Sequence, residues 1–388
     1  MLGNKIFSGI DFRDNFISCA TVKMERGIPV LQNVAKQEVA VEIIEGGRVT
    51  DSDLLVSELS HFFKDGYISK KIHLAIPTQN ILLRKVTTLP DVGEGEIRKL
   101  LRFHIGESIH LPFENPIYDF VKLGSIIPKR LDEMGAPLED AEEDDLELSL
   151  GELAQEMKEE TESPRSEVLL FATSKVLSQE VADVITAAGL KPLSAEIRAL
   201  ALQRLLTYVH PHWLRETEMI VDASEKSVDI HIFKENLIVF SRRMSINPDS
   251  YQAVTENNIE EELFILDDDE VSNELEGKRE VAAAKVDSGI AREENSYFNE
   301  IFLEIERAQN FFRYSLNERE SELKRMIVTG DYANQIYDSL RNRMESVRVV
   351  RIDYSSILAP DFSYTELLDS CSTAIGLAMR GNEKIKKK

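Results

Sequence analysis

IDFRDNFISCATV at residues 10–22 and VDASEKSVDIHIF at residues 221–233 read as one unit written twice. Each opens on an apolar run that ends in an aspartate, Asp11 or Asp222. Each continues through a short polar insertion, FRDN or ASEK, into a strand of β-branched and aromatic residues. The offset is constant, since Asp11 to Asp222 and Val22 to Phe233 are both 211 positions apart. A third strand follows each copy: IPVLQNV after a turn at Glu25–Gly27, and NLIVFSRR in the second half. A strand ending in Asp, a tight loop, two further antiparallel strands and then helices, occurring twice, predicts two related α/β domains.

The intervening sequence supplies the helices. Ser52 to Phe63 places Leu55, Leu59 and Phe62 on one face, with Ser52 as the expected cap. KIHLAIP and ILLRKVTTLP read as two more strands, and Glu94 to Ile109 as a helix whose inner face is Ile97, Leu100, Leu101, His104, Ile105 and Ile109. VLLFAT leads into a helix from Lys175 to Ala188, which AAGLKP closes with Gly189 at a left-handed end. A further helix is expected over Ile197 to Tyr208, and a long one near Ser296.

With 388 residues the chain is too long for one small core. Its formal net charge of −23 is concentrated in two stretches. Residues 132–167 hold 15 Asp and Glu against Lys158 and Arg165, and residues 256–280 hold 11 against Lys278 and Arg279. The rest is nearly balanced, and the acidic stretches disfavour general binding to nucleic acid or anionic lipid. Residues 129–167 read as a disordered linker, poor in the residues that could offset ordering entropy. Leu146, Leu150, Leu153 and Met157 allow an amphipathic helix there as the alternative. Residues 249–295, with EEELFILDDDE, read as an acidic insert, and 381–388 as a basic solvent-exposed tail.

Chemistry-bearing motifs are scarce. Cys19 and Cys371 have no second Cys or His at metal-ligand spacing, so neither a disulfide framework nor a zinc site is indicated, and a reducing cytoplasm is the natural setting. No apolar run reaches membrane-helix length, and Asp11 comes too early for a signal-peptide core. The sequence contains no GxGxxG, Walker loop or nucleophile elbow. His210 and His212 read as a surface turn, His104 and His110 as core-edge or surface, and Phe298, Phe302, Phe311, Phe312 and Tyr314 as core.

The duplicated unit resembles the actin-like ATPase fold, in which two ribonuclease-H-like domains close over a nucleotide. Within it the chain is most similar to the PilM family of type IV pilus assembly, a relative of the cell-division protein FtsA. The resemblance rests on KLLRFHIGESIHLPFENPIYDFVKLG, VLLFATSKVLSQEVADVITAAGLKPLSAEIRALALQRLL, FNEIFLEIERAQNFFRYSL and STAIGLAMRG. It implies a first actin-like domain over 1–215 with an FtsA-type small subdomain inserted at 71–124, and a second domain over 216–380. It also implies a cytoplasmic scaffold, held at the inner face of the membrane through its partners. That scaffold binds the N-terminal tail of a PilN-like inner-membrane protein in a groove between the first domain's subdomains, and is linked to the pilus motor ATPases.

In such folds the nucleotide lies on glycine-rich loops, because backbone amides must approach the phosphates. The matching positions here are Asp11-Phe12-Arg13-Asp14-Asn15 and Asp222-Ala223-Ser224-Glu225-Lys226 for the two phosphate loops, and Gly330-Asp331-Tyr332 for the adenosine turn. Asp11, Asp222 and Gly330 remain as degenerate nucleotide-binding positions, with Asp11 the magnesium ligand if ATP binds. Asp14 and Glu225 would repel a phosphate by about 1 kcal/mol each in water and about 4 at an effective dielectric of 20. The expectation is a pseudo-ATPase that needs no cofactor. The alternative is a switch that binds ATP and magnesium and modulates partner affinity; a sugar or metabolite kinase ranks third.

Overall fold

A computed structural model describes residues 5–13, 15–39, 44–45, 48–78, 81–126, 163–246, 289–315 and 321–381. Asp14, most of both acidic stretches (127–162 and 247–288, with the Leu146–Met157 alternative and EEELFILDDDE) and the tail beyond Gly381 lie outside them. The chain divides into two units, Met1–Leu202 with Thr373–Lys388, and Gln203–Ser372.

In chain order the first unit's elements are β1 (Lys5–Phe12), β2 (Phe16–Glu25), β3 (Ile28–Glu38), the short pair β4 (Ile44–Glu45) and β5 (Arg48–Val49), and α1 (Ser52–Lys64). They continue with β6 (Lys71–Ile76), β7 (Ile81–Val86), α2 (Glu94–His104), β8 (Pro116–Ile126), β9 (Arg165–Ser174), α3 (Lys175–Ala187) and β10 (Lys191–Ile197). Helix α4 (Arg198–Val209) carries the chain across the division. The main sheet has the order β10-β6-β1-β2-β3, with β1–β2–β3 an antiparallel meander and β6 and β10 parallel to β1. One face buries Ile10, Ile17, Cys19, Ile72 and Leu74 with Leu55, Leu59 and Phe62 of α1 and Val181, Val184 and Ile185 of α3. The cap of α1 is Asp51, whose carboxylate accepts from Leu54 N at 2.9 Å, rather than Ser52.

The second unit comprises β11 (Glu218–Ser224), β12 (Ser227–Lys234), β13 (Leu237–Ser245), α5 (Gly289–Asn310) with a π turn at Phe311–Ser315, β14 (Arg325–Thr329), α6 (Ala333–Arg343) and β15 (Arg348–Arg351). Its sheet order, β13-β12-β11-β14-β15, repeats that of the first unit strand for strand. The register repeats as well. Asp11 stands opposite Ser18 and Asp222 opposite Asp229, so each hairpin partner is again displaced by 211. The core joins Met219, Val221, Ile230 and Ile232 to Ile301, Phe302 and Ile305 of α5 and Ile336 and Leu340 of α6.

The structure moves several boundaries. The division falls at 202/203 instead of 215/216, and residues from Thr373 return to the first unit through α7 (Ser372–Ala378). That return depends on Gly9: a Cβ there would stand 2.0 Å from Ala374 O and 2.7 Å from Leu377 Cβ, so only glycine admits the helix. The inserted subdomain is not 71–124. Residues 71–76 are β6 of the main sheet, and the small three-stranded sheet β7-β9-β8 takes β9 from beyond the acidic stretch. Residues 165–167, expected in the linker, open β9, and residues 289–295, expected in the second insert, open α5. Helix α2 stops at His104, where Gly106 turns left-handed (φ 96°), and Ile105 bridges to Ile109. One face of the small sheet is covered by α2 through Ile97, Leu101, Phe120, Val168 and Leu170. Register puts Leu83, Phe171, Ile117 and Val121 on the other face. Phe311 and Tyr314, expected in the core, are 45% and 63% exposed because the π turn rotates them out of the α5 core stripe, while Phe302 and Phe312 are buried.

Candidate functional site

Asp11 is the penultimate residue of β1, which runs on to Phe12 where the sequence pattern had the strand end at the aspartate, and its carboxylate is already engaged. Arg198, the first residue of α4, donates from Nε to Asp11 Oδ1 at 2.7 Å and from its terminal nitrogen to Phe12 O at 2.6 Å. Arg13 Nε lies 3.4 Å from Asp11 Oδ2. The Arg198 and Asp11 side chains are 1% and 2% exposed, so this is an ion pair in a low-dielectric interior. Arg13, where a phosphate loop would have glycine, is buried as well, and its N–H donates to Phe16 O at 2.9 Å. The amide that would face a phosphate instead closes the β1–β2 turn. Sequence reasoning missed Arg198. The available signal was a cation in the apolar stretch IRALAL, but its partner lies 187 positions away.

In the second unit the matching loop contracts to a two-residue turn. Ser224 and Ser227 face each other with their hydroxyl oxygens 2.9 Å apart, Tyr297 donates from its hydroxyl to Ser224 O at 2.6 Å, and Ile246 N–H donates to Lys226 O at 2.8 Å. Asp222 is fully buried in a row across the sheet, between Asp229 of β12 and Thr329 of β14. Arg243, opposite Asp229 on β13, approaches that carboxylate at 3.6 Å.

Gly330 follows β14 with φ 96°, a conformation only glycine adopts cheaply. A Cβ there would meet Ala223 O at 2.3 Å and Asp222 Oδ1 at 2.5 Å, so the structure brings Asp222 and Gly330 together within this unit. The turn's donors are spent internally: Gly330 N–H on Asp369 O at 3.2 Å, and Tyr332 N–H on Ala223 O at 3.0 Å. Asp369, another residue the sequence did not single out, accepts from Tyr354 at 2.9 Å and pairs with Arg351. Burial, with the Asp369 charge beside it, pushes the Tyr354 hydroxyl pKa well above its ordinary value. These groups line a cavity of about 420 Å³ whose guanidinium and phenol are thereby satisfied by protein partners.

The fit to magnesium and ATP is therefore poor. Asp11 faces two guanidiniums, the amides at Arg13 and Gly330 are used, and the second loop has no open cradle. Among the described residues no cluster of three or more His, Cys, Asp or Glu could hold a metal ion. Cys19 and Cys371 are buried and not joined in a disulfide, and burial pushes the Cys19 thiol up to about 12, leaving it unreactive. His210 is more than a surface residue: its ring stacks on Trp213 at 3.6 Å, and its Nε2 accepts from Asp353 N–H at 3.1 Å. His104 bonds Ser108 at 2.8 Å.

No protein-family model and no curated protein matches the chain. Solved structures do. The structure described as a PilM-PilN type IV pilus biogenesis complex matches over 97% of this chain and 98% of its own, at 14% identity and a TM-score of 0.63. Ethanolamine utilization protein EutJ from Carboxydothermus hydrogenoformans matches over 98% and 91%, at 10% identity and a TM-score of 0.42. A Bacteroides thetaiotaomicron protein with actin-like ATPase fold and unknown function matches over 89% and 91%, at 10% identity and a TM-score of 0.38. Together with the strand order repeated in two α/β units, the first of these identifies the fold: this chain is built on the actin-like ATPase architecture.

Proposed function

We propose that the chain is a PilM-like scaffold of type IV pilus biogenesis, which holds the N-terminal tail of a PilN-like inner-membrane protein and connects it to the pilus motor ATPases on the cytoplasmic side. The observation that carries this reading is the end-to-end match, 97% of one chain on 98% of the other, to a structure of a PilM-PilN complex. No helix among the described residues is long and apolar enough to cross a membrane, which suits a protein recruited through a membrane-anchored partner. The far face of the small sheet, with Ile117 at 47% and Val121 at 36% exposure beside Leu83 and Phe171, offers alternating apolar positions to an extended peptide.

The function needs no nucleotide chemistry. The Arg198–Asp11 pair and the internally bonded turns replace the anion cradle, so neither ATP nor magnesium is a cofactor in this reading. The test is titration of a synthetic PilN-like tail into the full chain with and without Mg-ATP. Saturable binding that is unchanged by Mg-ATP, and weakened by Ile117→Glu or Val121→Glu, is the expected result. Nucleotide-dependent tail affinity would favour the ATP-switched alternative, and absence of tail binding in either state would remove the scaffold reading.

A further inference from the structure

The protein is strongly acidic as a whole, yet one edge of the first unit is the reverse. Where the parallel strands β1, β6 and β10 begin, register sets Lys191 opposite Lys71, and the Lys71 ammonium lies 5.6 Å from the Phe7 ring. Lys5 precedes Phe7 by two positions and so shares its face of the strand, and Lys70 precedes Lys71. All four lysines are exposed, and none forms an ion pair among the described residues. The neighbouring Lys23 differs, being bound to Glu25 at 2.5 Å; Asp65 at the end of α1 is the other nearby carboxylate in sequence. Two large apolar side chains stand at the same end: Ile6, opposite Lys23 and 44% exposed, and Ile28 at the β2–β3 turn, 56% exposed.

Exposed lysines distributed over the starts of three neighbouring strands match a plane of phosphates. Isolated exposed isoleucines beside them match the headgroup–acyl boundary. We propose that this edge of the first unit docks directly on an anionic phospholipid surface. The contact goes beyond the scaffold reading, in which the membrane is reached only through a partner, and vesicle binding is measured without any tail peptide, so the two ideas fail separately.

The test is co-sedimentation of the full chain with phosphatidylcholine vesicles and with vesicles containing about 30% phosphatidylglycerol. Binding is expected only to the anionic vesicles at about 50 mM salt, with loss at about 500 mM, where the Debye length is a few ångströms. The triple variant Lys5→Gln/Lys71→Gln/Lys191→Gln, whose altered side chains are all exposed, should melt like the parent and partition about 100-fold more weakly, at about fivefold per lysine. Truncation after Gly381 should leave binding within about threefold of the parent, because every residue of the edge precedes it. The proposal is overturned if the parent ignores anionic vesicles, if the triple variant binds within about threefold of the parent, or if truncation alone removes all binding. It is equally overturned if the edge captures polyglutamate but not vesicles, which would make an acidic polypeptide its ligand.

Discussion

Asp11→Asn separates a structural role for this carboxylate from a magnesium-binding one, because the two give opposite signs. Asparagine keeps the shape and one acceptor, so packing around Ile10 and Phe12 survives, but the buried Arg198 and Arg13 lose the Asp11 charge. Removing one partner of a buried pair costs about 3–5 kcal/mol, because the remaining charge keeps its desolvation penalty. For a unit of this size a 1 kcal/mol loss lowers the melting temperature by about 2–4 °C, so the expected drop is about 6–20 °C. Thermal and urea unfolding of the parent, Asp11→Asn, Arg198→Gln and the double variant measure it. The double variant should lose less than the sum of the singles, with a coupling of about 1–3 kcal/mol, since the two residues share one interaction. If Asp11 instead awaited a metal, its neutralisation would leave the apo protein as stable or more so and would abolish Mg-ATP affinity. That outcome would refute the ion-pair reasoning.

Three further outcomes follow from the second unit. Gly330→Ala should destabilise by about 3 kcal/mol or more, because it combines a positive φ with a Cβ only 2.3 Å from Ala223 O; an unchanged urea midpoint would contradict the described turn. His210 is held below the usual imidazole range by burial, reinforced by Arg325 and opposed by Asp353. The unfolded chain therefore takes up the proton first as pH falls. The stability contributed by neutral His210 is complete above about pH 6.5 and is lost as pH drops toward its folded pKa, and His210→Phe should flatten the urea midpoint between about pH 7.5 and 5.5. The β12–β13 turn places Glu235 (φ 52°) and Asn236 (φ 63°) in left-handed conformations, where the matching β2–β3 turn has Arg26 and Gly27. Replacing Glu235-Asn236 by Asn-Gly should raise stability by about 1 kcal/mol in urea titration, as this turn type prefers that pair.

Local sequence and tertiary structure divided the determination cleanly. The alternation in FISCATV and SVDIHIF, the aspartate near the end of each preceding strand and the constant 211-residue offset are properties of short segments, and they suffice to specify two meanders of one design. The helices at 52–64 and 175–187 were likewise legible, because their apolar spacing matches the helical period and Gly189 marks a helix end. What depends on residues far apart was not legible. Whether Asp11 is an open ligand or a closed ion pair turns on Arg198, and whether the last helix belongs to the second domain or returns to the first turns on the missing side chain of Gly9. The assignment of β6 to the main sheet and of β9 to the small one was hidden for the same reason: a strand's partners are set by hydrogen bonds to segments dozens of positions away, which no local periodicity records. The sequence alone thus determined the duplicated architecture. Only the folded chain decided that Asp11 is paired with Arg198 and that the Gly330 amide is spent on Asp369, since burial makes an unpaired charge too costly to leave waiting for a ligand.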